Sequence, residues 1–134
     1  MLIAWNDHFA VGIDTIDAGH ALVIEAINQL NQAETPAASA TVVDRMLPLL
    51  RTHFDEQFTA EDKLLQGAGA ETRAEHEREH CRLLTVLDVI GQSHAGGGDM
   101  AGLLLLNLVC FLVSHLRGTD GDAFAAHRHS RRAA

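Results

Sequence analysis

Two histidines stand four residues apart in a segment rich in charged residues, in the pattern His76-x-x-x-His80. If this segment is helical, one turn separates the two side chains by about 6 Å along the axis, on the same face. Two imidazoles at that spacing can bind one metal ion, because imidazole is the commonest metal ligand in proteins. The same pattern also fits two solvated histidines on a helix surface, so it needs support from other residues.

Further polar side chains occupy positions where a helix in a bundle would carry an apolar residue. An unpaired polar group in such an interior costs about 2–7 kcal/mol, so the set must find partners. A metal ion can be that partner, because its bonds to the buried side chains replace their lost contacts with water and stabilise the folded state. Their coincidence on successive helices favours a metal site over unrelated surface or core residues. The additional candidates are His20, His53, Gln57, Glu61, His115 and Asp120.

The residue types indicate which metal these side chains would bind. Imidazole and carboxylate without thiolate suit iron, manganese or zinc. The two cysteines, Cys81 and Cys110, form no CxxC pair and predict neither a zinc knuckle nor a disulfide framework. Even without His53, four candidate histidines and two carboxylates exceed what one tetrahedral zinc needs, so a dinuclear centre bridged by Glu61 and Asp120 is favoured. The other histidines are interpreted as solvent-exposed: His8, His94, His127 and His129.

Four helical segments with short connections must position these side chains. Apolar residues recur at intervals of three and four, Asp17 and Asp99 are plausible N-caps, and Gly118 ends the last helix. Pro48 should kink the second helix or mark its late start. We therefore predict one all-α domain, residues 1–134, folded as an antiparallel up-down four-helix bundle. Helices are expected at 17–32, 40–66, 71–90 and 99–116, with an irregular arm at 1–16 and a tail at 121–134.

Each predicted helix carries one apolar face, and the candidate ligands continue it. The stretch 33–40 and the glycine-containing stretches at 67–70, 91 and 96–98 interrupt the patterns and are interpreted as connections. The inward series are His20, Ile24, Ile27, Leu30; then Val43, Met46, Leu50, His53, Gln57, Glu61, Leu64; then Arg73, His76, His80, Leu84 or Leu83, Leu87; and finally Leu104, Leu108, Phe111 or Leu112, His115.

Composition limits the classes of function. Hydrophobic residues make up 47% of the 134 residues, enough for a core without disulfides. The formal net charge of −8 argues against nucleic-acid and anionic-membrane partners. The longest apolar run, Leu103–Leu106, is too short to span a bilayer, and the N-terminus shows no secretion signal. We therefore expect a cytoplasmic protein, and its length and surface charge favour a monomer.

Several motifs occur in a fixed order over about residues 5–120. They are Trp5, Gly12-Ile13-Asp14 and Ile16-Asp17-x-x-His20, then Gln57-Phe58-x-x-Glu61-Asp62-x-Leu64-Leu65, His76-x-x-x-His80, Phe111-Leu112-x-x-His115 and Asp120. In this combination the chain resembles the bacterial hemerythrin family, whose motif H-F-x-x-E-E-x-L-M matches the residues from position 57. The resemblance implies a four-helix bundle that holds two irons, bridged by carboxylates and an oxo or hydroxo group, and that binds O₂ reversibly.

The resemblance also implies a role for each candidate ligand. The main departure is Gln57, which stands where the family has a second histidine on the O₂-binding iron. An amide oxygen is a weaker donor than imidazole, so we expect this second iron to be weakly bound. The implied assignment is that the first iron is held by His76, His80 and His115, the bridges are Glu61 and Asp120, and the second iron is bound by His20.

The departure at Gln57 leaves two questions open, namely the register of the motif and the ligand that replaces the histidine. The pair His53-Phe54 also begins with H-F, but aligning it to the motif would put Gln57 on the bridging carboxylate and lengthen the gap to His76 by one turn. The register that keeps Glu61 as the bridge is therefore preferred. In that register His53 lies one turn before Gln57 and could supply the missing nitrogen; otherwise water completes the coordination, or the second site stays empty.

Three functions are compatible with these residues. We favour a non-haem di-iron protein that binds O₂ reversibly as a carrier, store or sensor. The alternatives are a di-iron or mononuclear iron enzyme acting on peroxide, O₂ or NO, and a metal-handling module without oxygen chemistry. The binding protein is favoured over an enzyme because no pattern in the sequence resembles a general acid, a substrate pocket or a reductase domain.

Overall fold

The protein is an all-α bundle, as the sequence predicts. A computed structural model describes the backbone of residues 14–113 and the side chains of residues 18–113. Within that range it contains no strand. A short 3₁₀ turn, Leu65–Gly67, follows the second helix. The helices are α1 at Asp14–Gln32, α2 at Pro36–Leu64, α3 at Ala70–Ala95 and α4 at Ala101–Phe111.

The start of α2 differs from the prediction, which placed a loop over residues 33–40. Pro36 occupies the beginning of the helix, where a missing N–H costs no hydrogen bond. Thr35 precedes it in an extended conformation, and its hydroxyl oxygen accepts a hydrogen bond from the backbone N–H of Ala38 at 3.1 Å. This N-cap lets the helix begin four residues earlier than its apolar pattern indicated.

A late start of α2 at Pro48 and a connection at Gly91, both predicted from sequence, are absent from this part of the chain. Pro48 lies inside α2, so the prediction of a late start there is wrong. Gly91 lies inside α3, which continues to Ala95. The break comes instead after Ala95, where Gly97 adopts a φ of +92° that L-residues rarely take. A helix whose buried face continues on both sides can carry one unfavourable residue, because packing outweighs local propensity.

The core lies along the faces that the helices turn towards one another. The inward series predicted for α1 is confirmed, since Ile24, Ile27 and Leu30 are all buried. The predicted N-caps are wrong: α1 begins at Asp14, so Asp17 lies inside the helix, and the N-cap of α4 is Met100 instead of Asp99. At the end of α2 the prediction is wrong by one residue: Leu64 is 39% exposed, whereas Leu65 is 2% exposed. The chain tightens to a 3₁₀ turn at Leu65, which changes the rotation per residue and directs that side chain inwards.

On α3 the inward series also needs one correction. Arg73 is exposed, so the predicted face begins only at His76. Leu83 and Leu84 were predicted as alternatives for the next inward position; Leu83 is buried and Leu84 is half-buried. On α4, both Phe111 and Leu112 are buried.

Two helices, α2 and α4, each contact the other three. Connections of only a few residues make successive helices antiparallel. At the surface, the Arg51 guanidinium on α2 donates to Asp88 on α3 at 3.0 Å and pairs with Asp55 at 2.7 Å. Two hydrogen bonds raise the pKa of Arg51 above its ordinary value: the bond to Asp55 has the larger effect, and the bond to Asp88 adds to it. None of the helices in the described range combines the length and apolarity needed to cross a membrane.

Candidate metal centre

Five polar side chains are buried in the otherwise apolar interior of the described residues. They come from three helices, and each is at most 5% exposed. Buried polar groups in native proteins are paired with one another, with water or with a metal. The five residues are His20 on α1, Gln57 and Glu61 on α2, and His76 and His80 on α3.

Helical periodicity brings these residues together in pairs. Gln57 and Glu61 are one turn apart on α2, and His76 and His80 are one turn apart on α3. Residues at this spacing lie above one another on the same face. Because α2 and α3 are antiparallel neighbours, the two pairs face each other across the interior.

Glu61 is the centre of the cluster, and its two carboxylate oxygens face different groups. Oε2 lies 2.8 Å from Nε2 of His80 and 3.7 Å from Nδ1 of His76. Oε1 accepts a hydrogen bond from the side-chain amide of Gln57 at 3.0 Å. One oxygen therefore belongs to the histidine pair of α3, and the other faces the groups contributed by α2 and α1.

Glu61, His76 and His80 have the arrangement of a metal site. One ligand atom from each of these residues lies within 4.8 Å of the others. That is close to the span that one ion bridges with bonds of about 2.0–2.2 Å to nitrogen and oxygen. All three residues are buried, so a positive ion there would be balanced by the Glu61 carboxylate rather than by solvent. The cluster fits one metal ion with nitrogen and carboxylate ligands.

A wall of phenylalanine rings orients the histidine pair. The ring of Phe58 stacks on His80, with centroids 3.7 Å apart and planes 4° apart. Phe54 supports Phe58 from behind at 5.4 Å and meets Phe111 of α4 edge-on at 5.1 Å. This wall was not predicted from the sequence. The feature of the sequence that could have predicted it is the spacing of Phe54 and Phe58, which lie one helical turn apart beside the candidate ligands.

Gln57 contacts α1 instead of the histidine pair. Its amide nitrogen lies 3.2 Å from Nε2 of His20. Gly19, the residue before His20, makes this approach possible: a Cβ atom at position 19 would lie 2.1 Å from Oε1 of Gln57. The role of Gly19 was also missed, because a glycine inside a helical pattern carries no information about which distant side chain it admits.

The close approach predicts the effect of adding a methyl group at position 19. We expect Gly19→Ala to lower the free energy of unfolding of the metal-free protein by about 1–3 kcal/mol, because the 1%-exposed Gln57 amide must move. This cost exceeds the gain of about 1 kcal/mol that alanine offers over glycine in a helix. Urea unfolding in the presence of a chelator measures the difference.

Gly102→Ala is the matched control for this substitution. Gly102 lies in α4, and an added Cβ there meets no atom within 4 Å. We expect this variant to be as stable as the wild type or more stable by up to about 1 kcal/mol. Equal stabilities of the two alanine variants would show that Gly19 is not needed to accommodate Gln57.

The remaining candidates are placed as follows. His53 is half-buried, whereas the adjacent Phe54 takes the core position, and within the described range His53 has no hydrogen-bond partner. His94 was predicted to be exposed in a loop, but it lies at the end of α3, half-buried beside Asp44 of α2. The others lie outside the described residues: His8, His115, Asp120, His127 and His129.

Comparison with known families adds a second line of evidence. The family described as Hemerythrin HHE cation binding domain matches residues 11–126. This range includes the whole buried cluster of His20, Gln57, Glu61, His76 and His80. The chain belongs to the hemerythrin family. The family predicted from the motifs is therefore confirmed, and the buried cluster lies inside the hemerythrin domain.

Two bacterial hemerythrins illustrate the similarity. The bacteriohemerythrin of Stenotrophomonas maltophilia (strain R551-3) is 31% identical over 132 residues, which cover 94% of this chain and 84% of the relative. The bacteriohemerythrin of Pseudomonas aeruginosa (strain LESB58) is 28% identical over 131 residues, covering 96% of this chain and 83% of the relative. The similarity thus covers nearly all of this chain and more than four-fifths of each relative.

Proposed function

We propose that this hemerythrin is a non-haem iron protein that binds O₂ or another small diatomic ligand, as a carrier, store or sensor of that ligand. One observation carries the proposal: a carboxylate and two imidazoles, all buried, present ligand atoms within 4.8 Å of one another. The family membership supports iron as the ion, and nitrogen with carboxylate donors suits iron.

Three described residues would hold the iron, namely Glu61, His76 and His80. The resemblance adds His115 as a third imidazole and Asp120 as a second carboxylate. Bound iron would supply a site for reversible coordination of a neutral diatomic molecule. The assignment of Glu61, and not Gln57, beside the histidine pair is supported by the 2.8 Å contact between Glu61 and His80.

The protein's own side chains would control access to this ion. Phe58 fixes the plane of the His80 ring by stacking, so the imidazole is preorganised to bind metal. Phe54 and Phe111 extend the apolar wall, and the Glu61 carboxylate is fully buried from bulk water. Excluding water and protons favours reversible holding of a small neutral ligand over its further reaction.

The resemblance implies a two-iron centre with an oxo or hydroxo bridge. The described residues include only some of the ligands that such a centre requires. Glu61 has an oxygen on each side, as a bridging carboxylate requires. On the second side, however, the groups present are His20 and the Gln57 amide. His53, the other candidate nitrogen, is half-buried and separate from this group. The described residues therefore fit the first iron and do not fit the second.

Spectroscopy of the iron-loaded protein tests the proposed function. The purified chain would be loaded with Fe(II) without oxygen, and its iron content measured. O₂ and NO would then be added separately, and we expect at least one to produce a visible absorption band that disappears on purging. Zinc-loaded protein is the colourless control. Failure to bind iron, or an iron-loaded protein that responds to neither gas, would contradict the proposal.

A further inference from the structure

We infer that the side-chain amide of Gln57 takes the place of the second metal ion, so that the chain holds a single iron. This inference rests on the proposed function, because it assumes that Glu61, His76 and His80 bind iron. It differs from weak ligation by Gln57: the amide nitrogen, not the amide oxygen, is directed at the groups that would bind the second ion.

His20 provides the first argument. Its Nε2 lies 3.2 Å from the amide nitrogen of Gln57, which has only hydrogens to offer and therefore donates. A neutral imidazole has one acceptor nitrogen, which here is Nε2, and the tautomer follows from this contact. That single lone pair accepts a hydrogen bond or binds a metal, but not both. While Gln57 holds it, His20 is not a metal ligand.

Glu61 provides the second argument, because it fixes which way the amide points. A carboxylate only accepts hydrogen bonds, so the amide nitrogen faces Oε1 of Glu61 at 3.0 Å, and the amide oxygen is directed away. Turning the amide over would set its oxygen against the carboxylate oxygen. The two N–H bonds of Gln57 thus satisfy both His20 and Glu61, the partners that a second cation would need.

The surroundings of Gln57 keep the amide in this position. The side chain is 1% exposed, and its Oε1 lies against the backbone of Gly19, where there is no room even for a Cβ atom. This oxygen has no hydrogen-bond partner within the described part of the chain. To act as a ligand it would have to exchange places with the amide nitrogen, which would break both hydrogen bonds. The close contact with α1 therefore opposes the conformation that would bind metal.

Metal stoichiometry tests the inference directly. The wild-type chain would be titrated anaerobically with Fe(II) by calorimetry, and the retained iron measured by mass spectrometry after gel filtration. We expect about one iron per chain even with Fe(II) in large excess, because His20 and Oε1 of Glu61 accept hydrogen bonds from the Gln57 amide in place of a second ion. A weakly binding second site would instead bring the number of irons bound per chain in the titration towards two. Gln57→His, which exchanges the donating amide for an imidazole, should raise the retained iron to about two per chain.

Two further variants make the test decisive. Gln92→His adds a histidine at an exposed position of α3 and should leave one iron per chain. Gln57→Glu keeps the shape of the side chain but replaces the donor by a second carboxylate beside Glu61, so it should also raise the iron content to about two. If Gln57→His fails to fold, as judged by circular dichroism, the glutamate variant decides.

Each result has a defined meaning. One iron in the wild type and about two in the position-57 variants supports the inference. Two irons in the wild type overturns it and leaves the proposed function standing. One iron in the wild type and in folded variants at position 57 also overturns it, because Gln57 would not be what limits the stoichiometry. A wild-type chain that binds no iron contradicts the proposed function itself.

Discussion

Replacing His80 with alanine is expected to abolish iron binding. His80 is one of the two imidazoles of the proposed metal site, and its Nε2 lies 2.8 Å from the Glu61 carboxylate. Changes to residues that merely support a metal ligand cost about 10–100-fold in affinity, so loss of a ligand should cost more than about 100-fold. Iron retained per chain after gel filtration, read beside the calorimetric dissociation constant, measures the effect.

His94→Ala is the matched control, since it makes the same substitution on the same helix. His94 contacts Asp44 near the far end of α3 and takes no part in the cluster. Its alanine variant should retain the iron content of the wild type. We expect His76→Ala to behave like His80→Ala, and His115→Ala to do so by the family resemblance. Wild-type iron content in the His80 variant would remove that residue from the ligand set.

Removing the metal is expected to lower the melting temperature of the protein by about 10 °C. The buried cluster loses its partner ion, and an ion present at about 100 times its dissociation constant contributes about 2.7 kcal/mol through binding to the folded state alone. For a domain of this size, each kcal/mol corresponds to roughly 4 °C. Thermal unfolding followed by circular dichroism, with Fe(II) and with a chelator, measures the shift.

The His80→Ala variant serves as the control for this measurement as well. Because it should bind no iron, its melting temperature should be the same with iron and with chelator. This comparison separates stabilisation through the cluster from nonspecific effects of the chelator. Identical melting temperatures of the wild-type protein in the two conditions would show that a bound metal does not stabilise the buried polar residues.

The sequence predicted the features that depend on local periodicity. The spacing of Gln57 from Glu61, and of His76 from His80, is one helical turn, and each pair lies on one buried face. The inward series of α1 and most of the series of α2 were predicted in the same way. Helix ends were less predictable: the Thr35 cap and the 3₁₀ turn at Leu65 depend on a few residues whose effect is conformational rather than periodic.

The contacts between helices were decided by the tertiary structure alone. His20 and Gln57 are 37 residues apart in the chain, and their contact depends on how far α1 and α2 are rotated about their axes. This rotation cannot be predicted from the periodic pattern of either helix, because it depends on how all the core side chains pack together. The sequence therefore identified Gln57 as the departure from the family. Only the fold determined that its amide donates to His20 and Glu61, in space left open by Gly19.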